Sequence, residues 1–459
     1  MDLTETLYEP ETDTQPHDVA DWMPRRPDRM LQPGVAGTGG SAARILYVPG
    51  PGDVAGTYRH WQARRNDPSI PSIAYSAQVY EVAEALQARM DVLTLAPVPQ
   101  AVRDGQKGAA IRFHQCREAG GRGIGYHLSE IGYCLRILRH ALRMRADTIL
   151  LQRNMVHFWP LGLARLFGIR LVVSLHNTLW PIHRSASRRE RWIGRLNGWL
   201  FRQADRVIGV SQAVTDQIRA VSGPSARTEV QTPQYKTDLI QAFRSRPGAV
   251  PLRDILYLGR IETPKGVFLL LDAFEQVAES HPGLRLRFVG SGHALEDLRT
   301  AVAGSSHADR ISVPGPCDGD QVFAELARAD LLVCPTTGQF AEGLAKTPIE
   351  ATLAGVPSLV STVVPAGATL GRAVETIEAD DPAAWARALD GLARDPERLS
   401  AMSRAAVEQR TVFFDRQRSL GSRLFTVLTQ QPRTRLSPSE APEVSFAGHG
   451  IPITGKIEQ

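Results

Sequence analysis

Two carboxylates stand eight positions apart in AEGLAKTPIEATLAGVP (341–357), Glu342 and Glu350, with glycines around them and Lys346 between them. Pro348 suits the first turn of a helix, which puts Glu350 early in that helix. A carboxylate there can accept two vicinal hydroxyls of a ribose. Glu342, on the loop before it, can reach a sugar hydroxyl, while Lys346 and the helix start would face a diphosphate between the two. The small residues Gly343 and Ala345, flanking Leu344, keep this backbone approachable. Upstream, RIETPKG sets Arg260 and Lys265 just before the helical GVFLLLDAF. Two cations at a helix start make a diphosphate cradle. Each feature alone also fits a bland reading: surface acids on a solvated helix, surface cations on a loop. The literal CDGD (317–320) invites a metal reading, but it precedes the helical QVFAELARAD, where acids cap free N–H groups. Capping is the favoured reading, and no metal is expected.

These residues need strands to present them. RILYVP (44–49), DVLTLAP (91–97), AAIRFH (109–114), DTILLQ (147–152), IRLVVSLH (169–176) and DRVIGVS (205–211) read as buried parallel strands alternating with helical stretches. SRPGAVPLR (245–253) reads as a linker. The alternation resumes with DILYLG (254–259), LRLRFVG (284–290), RISVPG (310–315), DLLVCP (330–335), PSLVS (357–361) and VETIEA (374–379). Two βα series joined by a linker imply two doubly wound domains facing a cleft, with ligands beyond the carboxyl ends of the strands. The chemically suggestive residues of the second series all follow its strands.

The chain has 459 residues, of which 43% are hydrophobic and 22% charged, a soluble globular composition. No apolar run is long enough to span a bilayer. The acidic N-terminus lacks an apolar core, so no signal peptide is expected. Four dispersed cysteines form no CxxC pair, which argues against a zinc site or disulfide framework and points to a reducing, cytoplasmic setting. Residues 1–40 carry eight acids and three bases, and residues 431–459 carry three of each, so the body between is net +10. A basic body suits phosphorylated small molecules, an acidic membrane or nucleic acid. Without zinc-finger spacing or an aromatic RNA-binding signature, nucleic acid is set aside.

Taken together, GRIETPKGVFLLLDAF, FVGSGHALEDL, ARADLLVCPT and AEGLAKTPIEATLAGVPSLVS resemble the donor-binding domain of glycosyltransferase family 4, of GT-B fold. Glu342 and Glu350 match the family's E-x7-E element. More loosely, VSLHNT resembles the family's strand ending in histidine, and ADRVIGVSQAV its AD-x-V-I-x-V-S segment. The resemblance implies an enzyme of hexosyltransferase type that moves a sugar from a nucleotide-sugar co-substrate with retention of configuration and without a metal or other cofactor. It implies that Arg260 and Lys265 hold the donor diphosphate, Glu350 the ribose, and Glu342 the transferred sugar, with His176 meeting that sugar from the other domain. Gly56 and Thr57, in PGPGDVAGTYRHW (49–61), match an acceptor-side glycine-rich loop by position. By family habit the acceptor is a glycan or lipid-linked, in polysaccharide assembly. The implied division is a disordered tail (1–42), an acceptor-side domain (43–245), a donor domain (246–411), a crossover helix (412–430) and a second tail (431–459). Two departures stand out: Ala345 where the family often has glycine, and VQTPQYKTDLI (230–240) in place of a frequent IPNGVD near the hinge. A nucleotide-sugar epimerase of the same architecture and a catalytically silent nucleotide-sugar-binding subunit are the alternatives.

One segment stays outside that frame. SASRRERWIGRLNGWLFRQADR (185–206) aligns Trp192, Ile193, Leu196, Trp199 and Leu200 as an apolar stripe, and seven arginines face two acids between Arg184 and Arg206. The plain expectation is a helix burying this stripe against the sheet. The sharper one is a peripheral contact with an anionic membrane surface.

Overall fold

A computed structural model describes residues 42–65, 72–105, 108–235 and 250–430. The expected tails fall almost wholly outside them, as does most of the linker. Two parallel sheets form the frame. The first holds β1 (Arg44–Pro49), β2 (Arg89–Thr94), β3 (Ile111–Gln115), β4 (Thr148–Gln152), β5 (Arg170–Leu175), β6 (Arg206–Gly209) and β7 (Thr228–Val230), in spatial order 3-2-1-4-5-6-7. The second holds β8 (Asp254–Leu258), β9 (Arg285–Val289), β10 (Ile311–Gly315), β11 (Leu331–Cys334), β12 (Ser358–Ser361) and β13 (Val374–Ile377), in order 10-9-8-11-12-13. Both sheets are doubly wound, and every apolar run read as a strand is one. Only β7 escaped the sequence reading: three half-buried residues, TEV, at a sheet edge carry no continuous apolar signal.

The helices that matter to the site are α1 (Val54–Gln62), α2 (Gly123–Met144), α3 (Arg188–Gln203), α4 (Gln212–Ser222), α5 (Val267–Ala278), α6 (Gly319–Arg328), α7 (Thr347–Leu353) and α8 (Leu420–Thr429). A 3-10 helix, Trp159–Phe167, lies between α2 and α3. One hydrophobic cluster runs through both sheets, joining Leu175 and Val210 of the first unit to Leu256 and Leu344 of the second. The chain then crosses back: Leu420, Leu424 and Val427 of α8 join the core behind β1, and Arg170 donates to the Val427 carbonyl at 2.6 Å. Among the described residues no helix is long and apolar enough to cross a membrane.

The expectation for α3 needs correction. Its stripe does not face inward as a whole, because Trp192 is 61% exposed and Trp199 36%. The buried face is instead Gly194, Asn197, Gly198, Leu200 and Phe201. A β-carbon on Gly198 would stand 2.1 Å from the Val221 carbonyl oxygen. α4 therefore nests against backbone rather than against tryptophan, and α3 is rotated so that Trp192 turns outward while Trp199, partly exposed, lies on the Gly162 backbone of the 3-10 helix.

Candidate active site

The site forms where loops after β5, β6, β8 and β11 meet at the seam between the sheets. His176 is the first residue beyond β5. Its Nε2 lies 3.1 Å from the Gln152 side-chain amide and 3.3 Å from Ser174 Oγ, and the Tyr75 ring meets it edge-on. The Tyr47 hydroxyl donates to Gln152 Oε1, which leaves the Gln152 amide N–H for the imidazole. Burial, reinforced by the nearby charge of Lys346, pushes His176 down to about 4. It is thus a neutral imidazole whose Nε2 accepts, held by a glutamine that is itself held.

The E-x7-E loop presses directly on this histidine. A β-carbon on Gly343 would sit 1.8 Å from the His176 carbonyl oxygen, far inside any tolerable contact, so only glycine allows the two domains to approach this closely. The Gly343 carbonyl accepts from Ser211 Oγ at 2.7 Å, and the Glu342 carbonyl from Thr178 Oγ1 at 3.4 Å. Leu344 is buried in the shared core and anchors the loop from behind. Ala345 has φ +56°, the left-handed region in which an L side chain is strained. Lys346 reaches across the seam to Ser72 Oγ at 3.3 Å.

Glu342 does not stand free. Its carboxylate accepts from Lys265 Nζ at 2.5 Å, and both side chains are largely buried. The same ammonium lies 3.8 Å from the centre of the Phe340 ring, which Arg260 also approaches at 5.4 Å. Arg260 is more open and pairs with Glu262 at 2.8 Å. The two cations predicted to hold a diphosphate and the carboxylate predicted to meet the sugar are therefore neighbours, with Phe340 as their floor.

Glu350 lies in α7, as expected, but not on an open surface. It is 5% exposed, and its Oε1 accepts from the Tyr235 hydroxyl at 3.2 Å. Burial raises its pKa, while Lys346 pulls it the other way. Because α7 has only two turns, its dipole is a small term beside the charged side chains. Gly56 and Thr57 also sit differently from the loop expected for them. They belong to the first turn of α1, where Asp53 caps the Gly56 N–H at 2.7 Å and Thr57 is 5% exposed. The loop proper after β1 is Gly50 to Asp53.

Phe340, Tyr235, Gln152 and Ser211 are site residues that the sequence reading did not single out. Phe340, two positions before Glu342 in a glycine-rich loop, carried a usable signal. Tyr235 lies in the segment that departs from the family pattern, and nothing in its spacing points at Glu350.

Asp318 is a helix cap. Its Oδ1 accepts from the Gln321 N–H at 3.0 Å, and the Gln321 side chain returns the bond at 3.1 Å, a full capping box on α6. Among the described residues the one group that could hold a metal is Asp91, His114 and His140, on β2, β3 and α2 and away from the seam. Asp91 already accepts from His140 at 2.9 Å and from Arg112 at 2.8 Å. Burial works against its charge, but the bonds from both histidines and the charge of Arg112 outweigh burial and hold the carboxyl below its usual range.

Comparison with known proteins identifies the family and the fold. Residues 253–395 match the model for "Glycosyl transferases group 1", and residues 74–233 that for a "Glycosyl transferase 4-like domain". A glycogen synthase of Mycobacterium tuberculosis is 24% identical over 340 residues, 72% of this chain and 79% of that one. A D-inositol 3-phosphate glycosyltransferase of Streptomyces avermitilis is 28% identical over 312 residues, 61% of this chain and 66% of its own. Among solved structures, sucrose-phosphate synthase from Thermosynechococcus elongatus superposes with a TM-score of 0.60 at 17% identity, covering 84% of this chain and 98% of that one. HepE of Anabaena, in complex with UDP, gives 0.57 at 17% identity, covering 84% and 99%. At such identities the likeness is one of fold, and the fold is GT-B.

Proposed function

We propose that this chain, which belongs to the group 1, family 4-like glycosyltransferases, moves a hexose from a nucleotide-sugar to a glycan or lipid-linked acceptor with retention of configuration. The observation that carries the reading is the Lys265–Glu342 pair on Phe340, set against the neutral His176 at the seam. Breaking a sugar–phosphate bond leaves negative charge on the departing nucleoside diphosphate. Lys265 and Arg260 can stabilise that charge without a metal, in a site shielded enough for the interaction to count. Glu350 takes the ribose, Glu342 and His176 the sugar, and the backbone from Gly343 to Lys346 the groups between. The leaving phosphate accepts the acceptor's proton, so no separate base is required. UDP, which HepE binds, is the first donor nucleotide to try.

We place the reaction in the cytoplasm, at the inner face of the membrane in polysaccharide assembly. All four cysteines are unpaired, which suits a reducing compartment. The deciding experiment is a panel of UDP-, GDP- and ADP-sugars in a thermal-shift assay, followed by donor turnover with and without EDTA. One donor at a hundred times its Kd should stabilise the fold by about 2.7 kcal/mol, and turnover should survive chelation. A protein that no donor stabilises overturns the reading. Turnover lost to EDTA and restored by Mg²⁺ or Mn²⁺ overturns its metal-free part.

A further inference from the structure

Nine large apolar side chains are exposed among the described residues, and eight of them lie on three helical elements that pack side by side: α2, the 3-10 helix Trp159–Phe167, and α3. On α2, Ile124, Leu128, Leu135 and Leu142 fall at i, i+4, i+11 and i+18. At 3.6 residues per turn that is a single stripe along the helix. Ile124 is 79% exposed and Leu128 64%. Arg136, Arg139 and Arg143 run beside it, and the only acid of the helix, Glu130, is turned inward to accept from the Val156 and His157 N–H groups.

The other two elements continue the patch. Trp192 and Trp199 share their outward face with Arg188, Arg191 and Arg195, and the one acid of α3, Glu190, is paired to Arg184. Trp199 lies against the Gly162 backbone of the 3-10 helix, and Arg189 bonds His127 of α2, so the three elements form one layer. At its far end Leu142 and Phe167 flank a shallow hollow of about 520 Å³, lined also by Arg145, Arg170 and Asp147. Eight exposed apolar side chains gathered on one layer mark a contact surface.

We infer that this layer docks the enzyme on an anionic lipid bilayer, with the leucines and tryptophans entering the headgroup boundary and the arginines pairing with lipid phosphates. Exposed indoles beside a dense cationic face suit that boundary chemically. A second copy of the chain fits worse. A twofold contact sets a patch against itself, and this one would oppose arginine with arginine. The placement also serves the reaction. α2 follows β3 and α3 follows β5, so both helices begin at the carboxyl edge of the sheet, where the cleft opens. Docking would bring the cleft mouth to the headgroups. In this the inference rests on the proposed lipid-linked acceptor, though binding to bare lipid can be measured without it.

The test is co-flotation of the full chain with phosphatidylcholine vesicles, with and without 30% phosphatidylglycerol, at low and high salt. Two variants accompany it: Arg188→Glu with Arg195→Glu, and Leu128→Ser with Trp192→Ser. None of these residues touches the site, so donor-induced stabilisation should be unchanged in both, which also certifies their folding. The wild type should float with anionic vesicles only, and less at high salt. Each basic residue near such a surface changes partitioning about fivefold, so the charge reversal should weaken it at least ~25-fold, and the serine pair should weaken it at either salt. No flotation with anionic vesicles, equal flotation with neutral ones, or unchanged flotation of both variants overturns the docking surface. So does a wild-type dimer that the serine pair dissolves, which would make the layer an interface between copies. If donor stabilisation persists through any of these, the transferase reading stands; if it is absent while flotation occurs, that reading fails alone.

Discussion

Gly343→Ala isolates the contact on which the site depends. The added β-carbon would stand 1.8 Å from the His176 carbonyl oxygen and 2.9 Å from the Asn177 Cα, all backbone, against a practical limit near 3.0 Å. No side chain can swing away, so the E-x7-E loop and the β5 loop must part by roughly 1.2 Å. Overpacking of this kind costs about 1–3 kcal/mol. Domains that can part at a seam release most of that strain without unfolding, so the melting temperature should fall only a few degrees. Transfer is the sensitive readout. A misplacement of about 1 Å between reacting groups costs on the order of 100-fold in rate, because Glu342 moves with Gly343 while His176 stays with its sheet. Donor affinity should suffer far less, since Lys265 and Arg260 lie on the same side as Glu350. Gly338→Ala is the matched control. Its β-carbon would meet the ends of Asp380 and His183 at 2.6 and 2.8 Å, which can rotate aside, so turnover should stay within about threefold. A Gly343→Ala enzyme with wild-type turnover would refute the idea that this contact sets the catalytic geometry.

Three further outcomes follow from the same seam. Ala345→Gly removes a left-handed L-residue at φ +56°; relief of about 1–2 kcal/mol, less the entropy glycine gains in the unfolded chain, should leave a net gain of about 0.5–1 kcal/mol, and a lower melting temperature would count against it. His176, held to about 4 when folded against an ordinary 6.5, is protonated more readily unfolded. Stability should therefore be full above pH 6.5 and decline between pH 6.5 and 4, by on the order of 3 kcal/mol. In His176→Asn this part of the slope should vanish in urea titrations, and an unaltered slope would remove the cause assigned here. Glu350→Ala should weaken donor binding by roughly 2–4 kcal/mol and also destabilise the fold by about 1–3 kcal/mol, because the Tyr235 hydroxyl loses its acceptor; Glu350→Gln should spare the fold while still losing donor affinity in calorimetry.

The fold was legible because parallel strands covered on both faces must be continuous apolar runs, and helices between them must interrupt those runs. Thus β1 through β6 and β8 through β13 could each be located, with ends off by up to three residues, while half-exposed TEV at an edge could not. The outward turn of Trp192, and the placing of Trp199 on the 3-10 helix rather than in the core, were illegible for a different reason. Periodicity identifies an apolar stripe on α3, but the face that packs is chosen by Gly194 and Gly198, which let α4 approach more closely than a stripe of indoles would. Close backbone approach leaves no mark in a hydropathy pattern.

The site was half legible, and the division has a physical basis. Residues that must follow strands, such as Arg260, Lys265 and Glu342, are fixed in place by the βα alternation, so their positions could be read from spacing, whereas His176 was named only through the family resemblance. What they touch depends on how two sheets meet, and no spacing within one sheet encodes that. Hence the pairing of Lys265 with Glu342, separated by 77 positions, and the contact of Tyr235 with Glu350, separated by 115, appear only in three dimensions. The second pair is the more telling. VQTPQYKTDLI looks like a departure from the family at the hinge, yet it supplies the hydroxyl that holds the carboxylate expected to bind ribose. Tyr235 N–H also bonds the Phe413 carbonyl just before the chain crosses back. One residue thus ties the hinge segment, the crossover and Glu350 together. A change in the angle between the domains should therefore strain the Tyr235–Glu350 bond, and under the ribose role proposed for Glu350 a bound donor should compete with Tyr235 for that carboxylate.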